Sequence, residues 1–290
     1  MQRLLTAPIL MLLAASLVLL PATGGTQETG PSPVHWAYSA YFGTGWYRVS
    51  GDRDVFVVRM TPRWTWSDAS LDANGSRVVG AHFKLPVSVG LDQFEFDDAL
   101  DAVDVDNVSF LSVNPGIDIE FPINSIWSLR PYASIGYGQA LGSSESAWTY
   151  WGGIKSRVEL HSGKFNWRLL NQVGIVGYTP NEGPSDSFSP LMAGFEFDHP
   201  MGSSADSRQQ MLLHWHASYT VFGDDLVFSG DPTVNRSISD QWELSVALGR
   251  RDSPIRIWFL NFDRLGLGYR TSSNGDLKGI TFVFRSMFDE

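Results

Sequence analysis

The stretch Val79–Leu91 reads VGAHFKLPVSVGL and carries the strongest structural pattern of the chain, because every second residue in it is apolar. The positions in between carry polar side chains such as His82, Lys84 and Ser88, together with glycines. Alternation with a period of two predicts a β-strand that has one apolar and one polar face. The pattern also persists well beyond the roughly five or six residues of an ordinary strand.

The same alternation returns in Leu111–Phe121, where Ile117 and Ile119 share one face and Asp118 and Glu120 the other. We therefore predict an all-β chain. Including a first strand at Ala40–Val49 and one long strand at Ile255–Thr271, we predict twelve strands. The remaining predicted strands are Phe56–Trp66, Trp127–Leu141, Trp148–His161, Phe165–Tyr178, Leu191–Asp198, Leu213–Phe222, Trp242–Arg250 and Ile280–Phe288.

The composition excludes several classes of protein. The 290 residues include 28 Gly and 13% aromatic residues, with only 18% charged residues, a net charge of −10 and no Cys. This argues against a disordered chain, a coiled coil and a basic nucleic-acid binder. Glycine-rich phosphate-binding motifs and Cys-based metal motifs are absent from the sequence, so we predict no cofactor and no nucleic-acid partner.

The N-terminus has the layout of a cleavable secretory signal. Arg3 precedes an apolar stretch, Ile9–Leu20, and small residues follow from Ala22 to Gly25. We expect a signal peptide at residues 1–24, a short periplasmic spacer at residues 25–38 and a barrel domain at residues 39–290. An N-terminal helix that remains in the mature fold is the alternative.

Alternating strands occur both in soluble β-sandwiches and in membrane β-barrels. The predicted strands are long enough for a tilted membrane crossing, which needs about 9 to 11 residues. Their polar faces are rich in ions, and an even strand number closes an antiparallel barrel. Long connections such as 92–107 and 223–240 fall at one end, and short ones such as 122–126 at the other. We therefore predict an antiparallel transmembrane β-barrel in the bacterial outer membrane.

Aromatic residues on the apolar face sort by height along the predicted strands. Amphipathic rings settle at the headgroup level of a membrane, so two girdles are expected. The predicted girdle residues are Trp64, Trp66, Trp127, Trp148, Tyr150, Trp167, Trp242, Tyr269 and Phe288.

The polar face of the strands predicts the lining of the barrel lumen. Both charge signs occur on neighbouring strands, which indicates either salt bridges that fill and stiffen the lumen or a narrow pore for small anionic solutes. The predicted lumen-lining residues are Arg59, Arg63, His82, Lys84, Asp118, Glu120, Arg130, Lys155, Arg157, Glu159, Arg168, Glu196, Asp198, His214, His216, Glu243 and Arg285.

One group of these residues also has the chemistry of a reactive site. His214 and His216 share a strand face, and Glu196 is expected on the adjacent strand. These side chains are weak candidates for a metal site and, with Ser218, for the hydrolytic group of a barrel enzyme that acts on lipids. No HExxH or GxSxG motif is present. We therefore assign no catalytic residue and expect a non-enzyme.

Residues 92–106 contain seven acidic and no basic residues. Such a run is usually a solvated loop. Because carboxylate oxygens are ligands for hard cations, contact with divalent cations that bridge lipopolysaccharide phosphates is the functional alternative. A barrel of this kind would also contact outer-membrane lipid and lipopolysaccharide directly.

The C-terminal alternation of Ile280, Phe282, Phe284 and Phe288 is similar to the terminal signal that hands outer-membrane barrels to their assembly machinery. Together with GTGWYRV at Gly43–Val49, it makes residues 38–288 resemble the solitary outer-membrane autotransporter-like β-barrel family. The segments DRLGLGYR and NGDLKGITF, between Asp263 and Phe282, add to this likeness. The resemblance implies a translocator-like barrel without a passenger domain, and no catalytic residues.

The sequence as a whole predicts an integral outer-membrane barrel with a structural or narrow-pore role for small solutes. The alternatives are an outer-membrane barrel hydrolase that acts on lipids and a secreted soluble β-sandwich that acts as a binding protein.

Overall fold

The computed structural model describes residues 36–49, 53–72, 75–92, 108–141, 143–163, 165–202, 210–228, 236–251, 253–257 and 260–289. The predicted signal peptide at residues 1–24 lies outside these ranges, as do residues 93–106 of the acidic loop. None of the helices in the described ranges has the length and hydrophobicity needed to cross a membrane.

The described chain contains one short helix, and the rest of its regular structure is strand. The elements are α1 Ala37–Ala40, β1 Gly45–Val49, β2 Arg53–Met60, β3 Arg63–Ser67, β4 Ser70–Leu71, β5 Arg77–Val78, β6 Gly80–Lys84, β7 Val87–Asp92, β8 Val108–Val113, β9 Gly116–Pro122, β10 Trp127–Ala140, β11 Ser146–Ser162, β12 Phe165–Pro180, β13 Asp186–Phe188, β14 Pro190–Met201, β15 Met211–Phe228, β16 Arg236–Arg250, β17 Ile255–Ile257, β18 Leu260–Phe262, β19 Arg264–Thr271 and β20 Leu277–Val283.

Twelve of these strands form a closed antiparallel ring, which confirms the predicted barrel. The ring runs β1, β2, β7, β8, β10, β11, β12, β14, β15, β16, β19 and β20, and then returns to β1. It closes where Gly45 of β1 lies opposite Thr281 of β20. We call the end that carries connections 93–107 and 181–189 the long-loop end, and the end that carries turn 123–126 the short-turn end.

Three neighbouring strands are interrupted at a proline. Pro62 separates β2 from β3, Pro86 separates β7 from β6, and Pro115 separates β8 from β9. Proline has no backbone N–H to contribute to the ladder. The proline carbonyls still accept hydrogen bonds, from Leu85 N to Pro62 O at 3.0 Å and from Asn114 N to Pro86 O at 2.8 Å. The three prolines therefore interrupt neighbouring strands along one line across the wall, while hydrogen bonds to the proline carbonyls keep the strands joined there.

The two faces of the wall are sorted as the alternation predicts. Ile117 is 40% exposed and Val173 54% exposed on the outside of the barrel, whereas Lys84 and Asp118 are buried inside. A closed barrel places successive side chains of a strand alternately outside and inside, so an apolar outer surface and an ionic interior arise together.

The first predicted strand, Ala40–Val49, is wrong in its N-terminal half. Residues Trp36–Phe42 contain α1 and lie buried inside the barrel, and β1 begins only at Gly45. A segment inside the barrel has no lipid-facing and lumen-facing sides, so its polar and apolar residues need not alternate. The part of the predicted periplasmic spacer that is described, residues 36–38, likewise lies in the lumen.

Two predicted boundaries also change. The predicted strand Ile255–Thr271 divides into a separate hairpin, β17–β18, and the barrel strand β19. Because the hairpin pairs with itself, the barrel still has twelve strands. The predicted loop 223–240 is shortened by β15 and β16, which extend to Phe228 and from Arg236.

The last predicted strand, Ile280–Phe288, ends at Val283, and the chain then turns so that Ser286 and Phe288 are buried in the lumen. We call residues 284–289 the C-terminal tail. Phe288 is 2% exposed, so its predicted place in the outer aromatic girdle is wrong. Charged groups inside the barrel surround this ring, as described below, and they stabilise the inward position.

On the short-turn side of Gly45, strand β1 does not continue beside β2. Side chains pair with the backbone of β2 there instead. Thr44 Oγ1 donates to Arg59 O at 2.8 Å and accepts from Arg59 N at 2.9 Å. Arg285 Nη1 donates to Thr61 O at 2.9 Å. An open strand edge is costly where water is excluded. Residues 36–44 and the C-terminal tail can therefore leave the wall, because Thr44 and Arg285 pair with the backbone N–H and C=O groups that an adjacent strand would otherwise bind.

Candidate functional site: the filled barrel lumen

The interior of the barrel divides into two regions of different chemistry. The half near the long-loop end contains a cluster of apolar rings, which we call the apolar plug: Trp36, Tyr38, Phe42, Tyr47 and Phe110. The half near the short-turn end contains paired ions, which we call the ionic network: Arg63, Lys84, Asp118, Glu120, Arg130, Lys155, Arg157, Glu159, Arg168, Glu196, Asp198, His214, Glu243, Arg264 and Arg270.

The segment before β1 supplies most of the apolar plug. Phe42 is 0% exposed, and its ring lies 5.2 Å from Tyr38 and 4.8 Å from Tyr47, measured between centroids. Trp36 packs against Phe110, and its indole N–H donates to Glu145 Oε1 at 3.0 Å. The segment is held by aromatic packing and by one hydrogen bond to the long-loop end.

The wall is shaped to accept this segment. A Cβ atom at Gly138 would lie 2.4 Å from the Trp36 ring, which is closer than any side chain could be placed. Glycine at this inward position of β10 therefore lets the tryptophan approach the wall. The sequence showed the glycine but not the ring that it accommodates.

One part of the ionic network joins four neighbouring strands near the short-turn end. Lys84 Nζ lies 2.7 Å from Asp118 Oδ2. Glu120 accepts from Arg130 and, at 3.0 Å, from Arg157. Arg130 is only 2% exposed. A buried ion is tolerated only when its partners replace water, and each carboxylate here has such partners.

The other part joins β12, β14, β15 and β19. Arg168 contacts Glu196 at 3.1 Å and Asp198 at 2.5 Å. His214 Nδ1 lies 2.6 Å from Asp198 Oδ1, and Arg264 lies 3.4 Å from Glu196. Nearby, Arg270 pairs with Glu243 at 2.7 Å.

The C-terminal tail completes the ionic network. Arg63 and Arg130 contact Asp289 Oδ1 at 2.9 and 2.8 Å. Arg130 Nη1 donates to Phe288 O at 2.7 Å, and Lys155 Nζ donates to Met287 O at 3.0 Å. Met287, Phe288 and Asp289 are thus held by cations from three strands, β3, β10 and β11.

The predicted lumen residues lie inside the barrel. All seventeen are buried or partly buried, and none is exposed. Eight of the nine predicted girdle residues, all except Phe288, are exposed, from Trp127 and Tyr150 at 37% to Trp66 at 67%.

The structure does not assemble the candidate metal or hydrolytic group. Across the ranges that the structure describes, no cluster of three or more His, Cys, Asp or Glu side chains could hold a metal ion. Glu196 accepts hydrogen bonds from Arg168 and Ser286. Among the described residues, neither ring nitrogen of His216 has a hydrogen-bond partner. His216 is therefore not placed to accept a proton from Ser218.

Sequence reasoning missed three members of the ionic network. Arg270 alternates with the outward Tyr269, and this signal could have placed it inside. Arg264 lies where the alternation slips, next to the β17–β18 hairpin. Asp289 carried no signal, because it follows the last strand and reaches the lumen only through the turn of the C-terminal tail.

Two cavities accompany these groups. A cavity of about 20 Å³ is lined by His214, His216, Glu243 and Arg270, among others, and has room for little more than one water. A second, more open pocket of about 330 Å³ lies at the short-turn end and touches Glu120 and Arg157.

Comparison with known structures identifies the fold. The β domain of the Bordetella autotransporter BrkA superposes with a TM-score of 0.52 at 10% identity, covering 82% of this chain and 92% of that one. The translocator domain of NalP from Neisseria meningitidis gives a TM-score of 0.48 at 9% identity, covering 82% of each chain. The transport unit of AIDA-I from Escherichia coli gives 0.39 at 12% identity, covering 95% of this chain and 97% of that one.

No protein-family model and no curated protein sequence matches the chain. The closed twelve-stranded antiparallel barrel is nevertheless the fold of autotransporter β domains. This chain shares that all-β barrel fold.

Proposed function

We propose that this protein is an integral barrel of the bacterial outer membrane, with a closed lumen and a structural role. The observation that carries the proposal is the filled interior, where an apolar plug occupies one half and paired ions and the C-terminal tail occupy the other. This filling favours the structural role over the narrow pore.

The outer surface supports a position in lipid. Large apolar side chains such as Val173, Leu191 and Leu244 are 54%, 59% and 60% exposed on neighbouring parts of the wall. A contiguous apolar surface of this kind needs an apolar surrounding. We expect membrane lipid and lipopolysaccharide around this band, and the assembly machinery to bind the outward residues of β20.

The substitution Val173→Arg tests this position. A lipid-facing arginine near the middle of a barrel lowers the free energy of unfolding by about 2–4 kcal/mol. On a surface that meets water, the same change would matter by at most about 0.5 kcal/mol. Urea unfolding in lipid vesicles, followed by tryptophan fluorescence, measures the difference.

Ile257→Arg is the matched control, because Ile257 is 51% exposed but belongs to the hairpin β17–β18 outside the barrel wall. We expect a much smaller effect there. Equal, small effects of both substitutions would contradict the membrane position.

Conductance across a planar bilayer tests the closed lumen. We expect the folded protein, verified by its heat-modifiable mobility in gels, to produce no steady channel. A stable ohmic conductance would overturn the structural role and favour a pore.

We infer no enzymatic activity. A base must hydrogen-bond to the nucleophile that it activates, and His216 makes no such hydrogen bond with Ser218.

A further inference from the structure

We propose that the short-turn half of the lumen contains a binding site for an aromatic ring joined to a carboxylate, and that the C-terminal tail is its exchangeable internal ligand. Arg63, Arg130, Arg157 and Lys155 form the site. The proposal goes beyond the structural role, because it assigns a ligand chemistry to one region of the lumen.

The contacts of Phe288 and Asp289 define that chemistry. The Phe288 ring lies under two guanidinium groups, 3.9 Å from Arg130 and 4.4 Å from Arg157, measured to the ring centroid. Such cation–π contacts strengthen where water is excluded. Arg63 and Arg130 meet on one oxygen of the adjacent Asp289. The site therefore recognises a flat ring and an anion as one unit.

The charge of the surrounding wall favours an anionic ligand. Seven cations face five carboxylates before Asp289 is counted, which leaves two positive charges in excess. The cations are Arg63, Lys84, Arg130, Lys155, Arg157, Arg168 and Arg264, and the carboxylates are Asp118, Glu120, Glu159, Asp198 and Glu196, the last of which also accepts from Ser286 and Met287 of the tail.

Asp289 responds to this excess of positive charge. Burial on its own would raise the pKa of the Asp289 carboxyl, but Arg130 and Arg63 outweigh burial and lower the pKa well below its usual range. The carboxylate is therefore bound in its charged form at neutral pH.

The tail is held in a way that permits release. Beyond Phe284 it belongs to no strand, and side chains of the wall bind it, as Lys155 Nζ binds Met287 O. Its own turn is closed internally, from Asp289 N to Ser286 O at 2.9 Å. Undocking of residues 285–289 therefore breaks ionic and side-chain contacts, including those of Glu196 with Ser286 and Met287, but no strand ladder.

The site can also be reached from the short-turn end. Arg63, Arg157 and Asp289 keep about a fifth of their side-chain surface exposed, at 19%, 22% and 23%. Arg157 of the site also lines the open pocket of about 330 Å³, whose volume falls in the range of small-ligand pockets. A soluble aromatic carboxylate or an acidic aromatic peptide could enter by this route and compete with the tail.

A single introduced cysteine can report the position of the tail, because the chain has no Cys. Ser286 is buried in the docked tail, so we expect folded Ser286→Cys protein to react slowly with a maleimide. The probe is an amidated peptide with the sequence of residues 284–289, FRSMFD. At millimolar concentration, which a tethered tail requires of a competitor, we expect it to raise the labelling rate about tenfold.

The second measurement weakens the internal ligand in the full chain. In a Phe288→Ala, Asp289→Asn variant, we expect the peptide to bind saturably by calorimetry and adding Arg130→Gln to abolish that binding. Asp263→Asn is the control, because Asp263 is an exposed carboxylate at the same end. Phenylacetate, in a separate arm, tests whether a small solute with the same chemistry suffices.

Binding by the weakened variant together with loss in Arg130→Gln would support the proposal. Binding of the peptide but not of phenylacetate would assign the site to a peptide ligand, and binding of both would assign it to the shared chemistry. If the folded weakened variant binds neither probe, the site does not exist and the tail is a permanent part of the fold. That result would leave the structural role intact, because the lumen would still be filled.

Discussion

The two halves of the lumen are enclosed by the same strands but are filled by opposite chemistry. Strand β10 shows the change along its length, since its inward positions carry Arg130 near the short-turn end and Gly138 near the long-loop end. The arginine binds the C-terminal tail, and the glycine leaves space for Trp36. The short-turn half thus binds the C-terminal tail, and the long-loop half binds the segment before β1.

The two halves should therefore respond differently to their surroundings. Apolar burial near the long-loop end depends on removing area from water and is insensitive to moderate salt. Ion pairs near the short-turn end depend on exact partners, because a buried charge without its partner is strongly unfavourable. Substitutions and solution conditions should therefore separate the two halves.

The largest effect is expected for Phe42→Ala in the apolar plug. Removing a fully buried phenylalanine side chain costs about 3–5 kcal/mol, so residues 36–44 should leave the lumen more readily. Bilayer conductance and protease cleavage of this segment measure the release. Phe195→Ala, on the lipid-facing side, is the control, and equal channel activity in both variants would contradict the plug.

The next effect is expected for Glu120→Gln in the ionic network. Two guanidinium groups, those of Arg130 and Arg157, lose their shared carboxylate, and we expect a loss of roughly 3 kcal/mol, at the low end for a broken buried pair. Urea unfolding in vesicles measures it. A joint Glu120→Leu, Arg130→Met replacement leaves the net charge of the network unchanged, and Arg63 still pairs with Asp289, so it should cost less than the single change. A larger cost for the joint variant would show that packing matters here more than charge.

Salt should distinguish the halves by a smaller amount. Raising ionic strength from about 0.1 M to about 1 M shortens the screening length from about 10 Å to about 3 Å. We expect the partly exposed contacts of Asp289 to weaken by about 1 kcal/mol, so that Ser286→Cys labels about fivefold faster. Ala40→Cys, in the apolar plug, should not respond. A parallel response at both positions would remove the distinction.

The smallest effect is expected for pH between about 8 and 5. A carboxyl whose folded pKa is depressed stabilises the docked tail above its ordinary pKa of about 3.9, and this stabilisation is lost as pH falls further. Tail hydrogen exchange, corrected for its intrinsic pH dependence, should therefore stay constant to about pH 5 and rise only in more acidic solution. Release of the tail near neutral pH would contradict the assignment of Asp289 as its ionic anchor.

Much of the wall could be predicted, because alternation is a local property of the chain. Phe83 and Lys84 are adjacent in sequence, yet the pleat alone directs one outward and the other inward. The same logic placed Glu120 and Arg130 inside, but it could not reveal that they share a cluster with Asp289.

The chain ends were predicted least well. Phe288 continues the alternation of β20, and sequence periodicity therefore assigned it to the outer girdle. The residues that draw it inward are distant along the chain, since Arg130 is 158 positions away. A local pattern carries no information about such a partner.

Alternation in hydrophobicity was enough to predict the twelve-stranded barrel and which side chains face outward, because a period of two needs no knowledge of distant residues. What fills the barrel depends on contacts between residues far apart in the chain, which exist only in the folded protein. Closing the ring created an interior with apolar rings at one end and surplus positive charge at the other. Residues 36–44, which are rich in aromatic rings, lie in the apolar half, and residues 284–289, which carry Asp289, lie in the positively charged half.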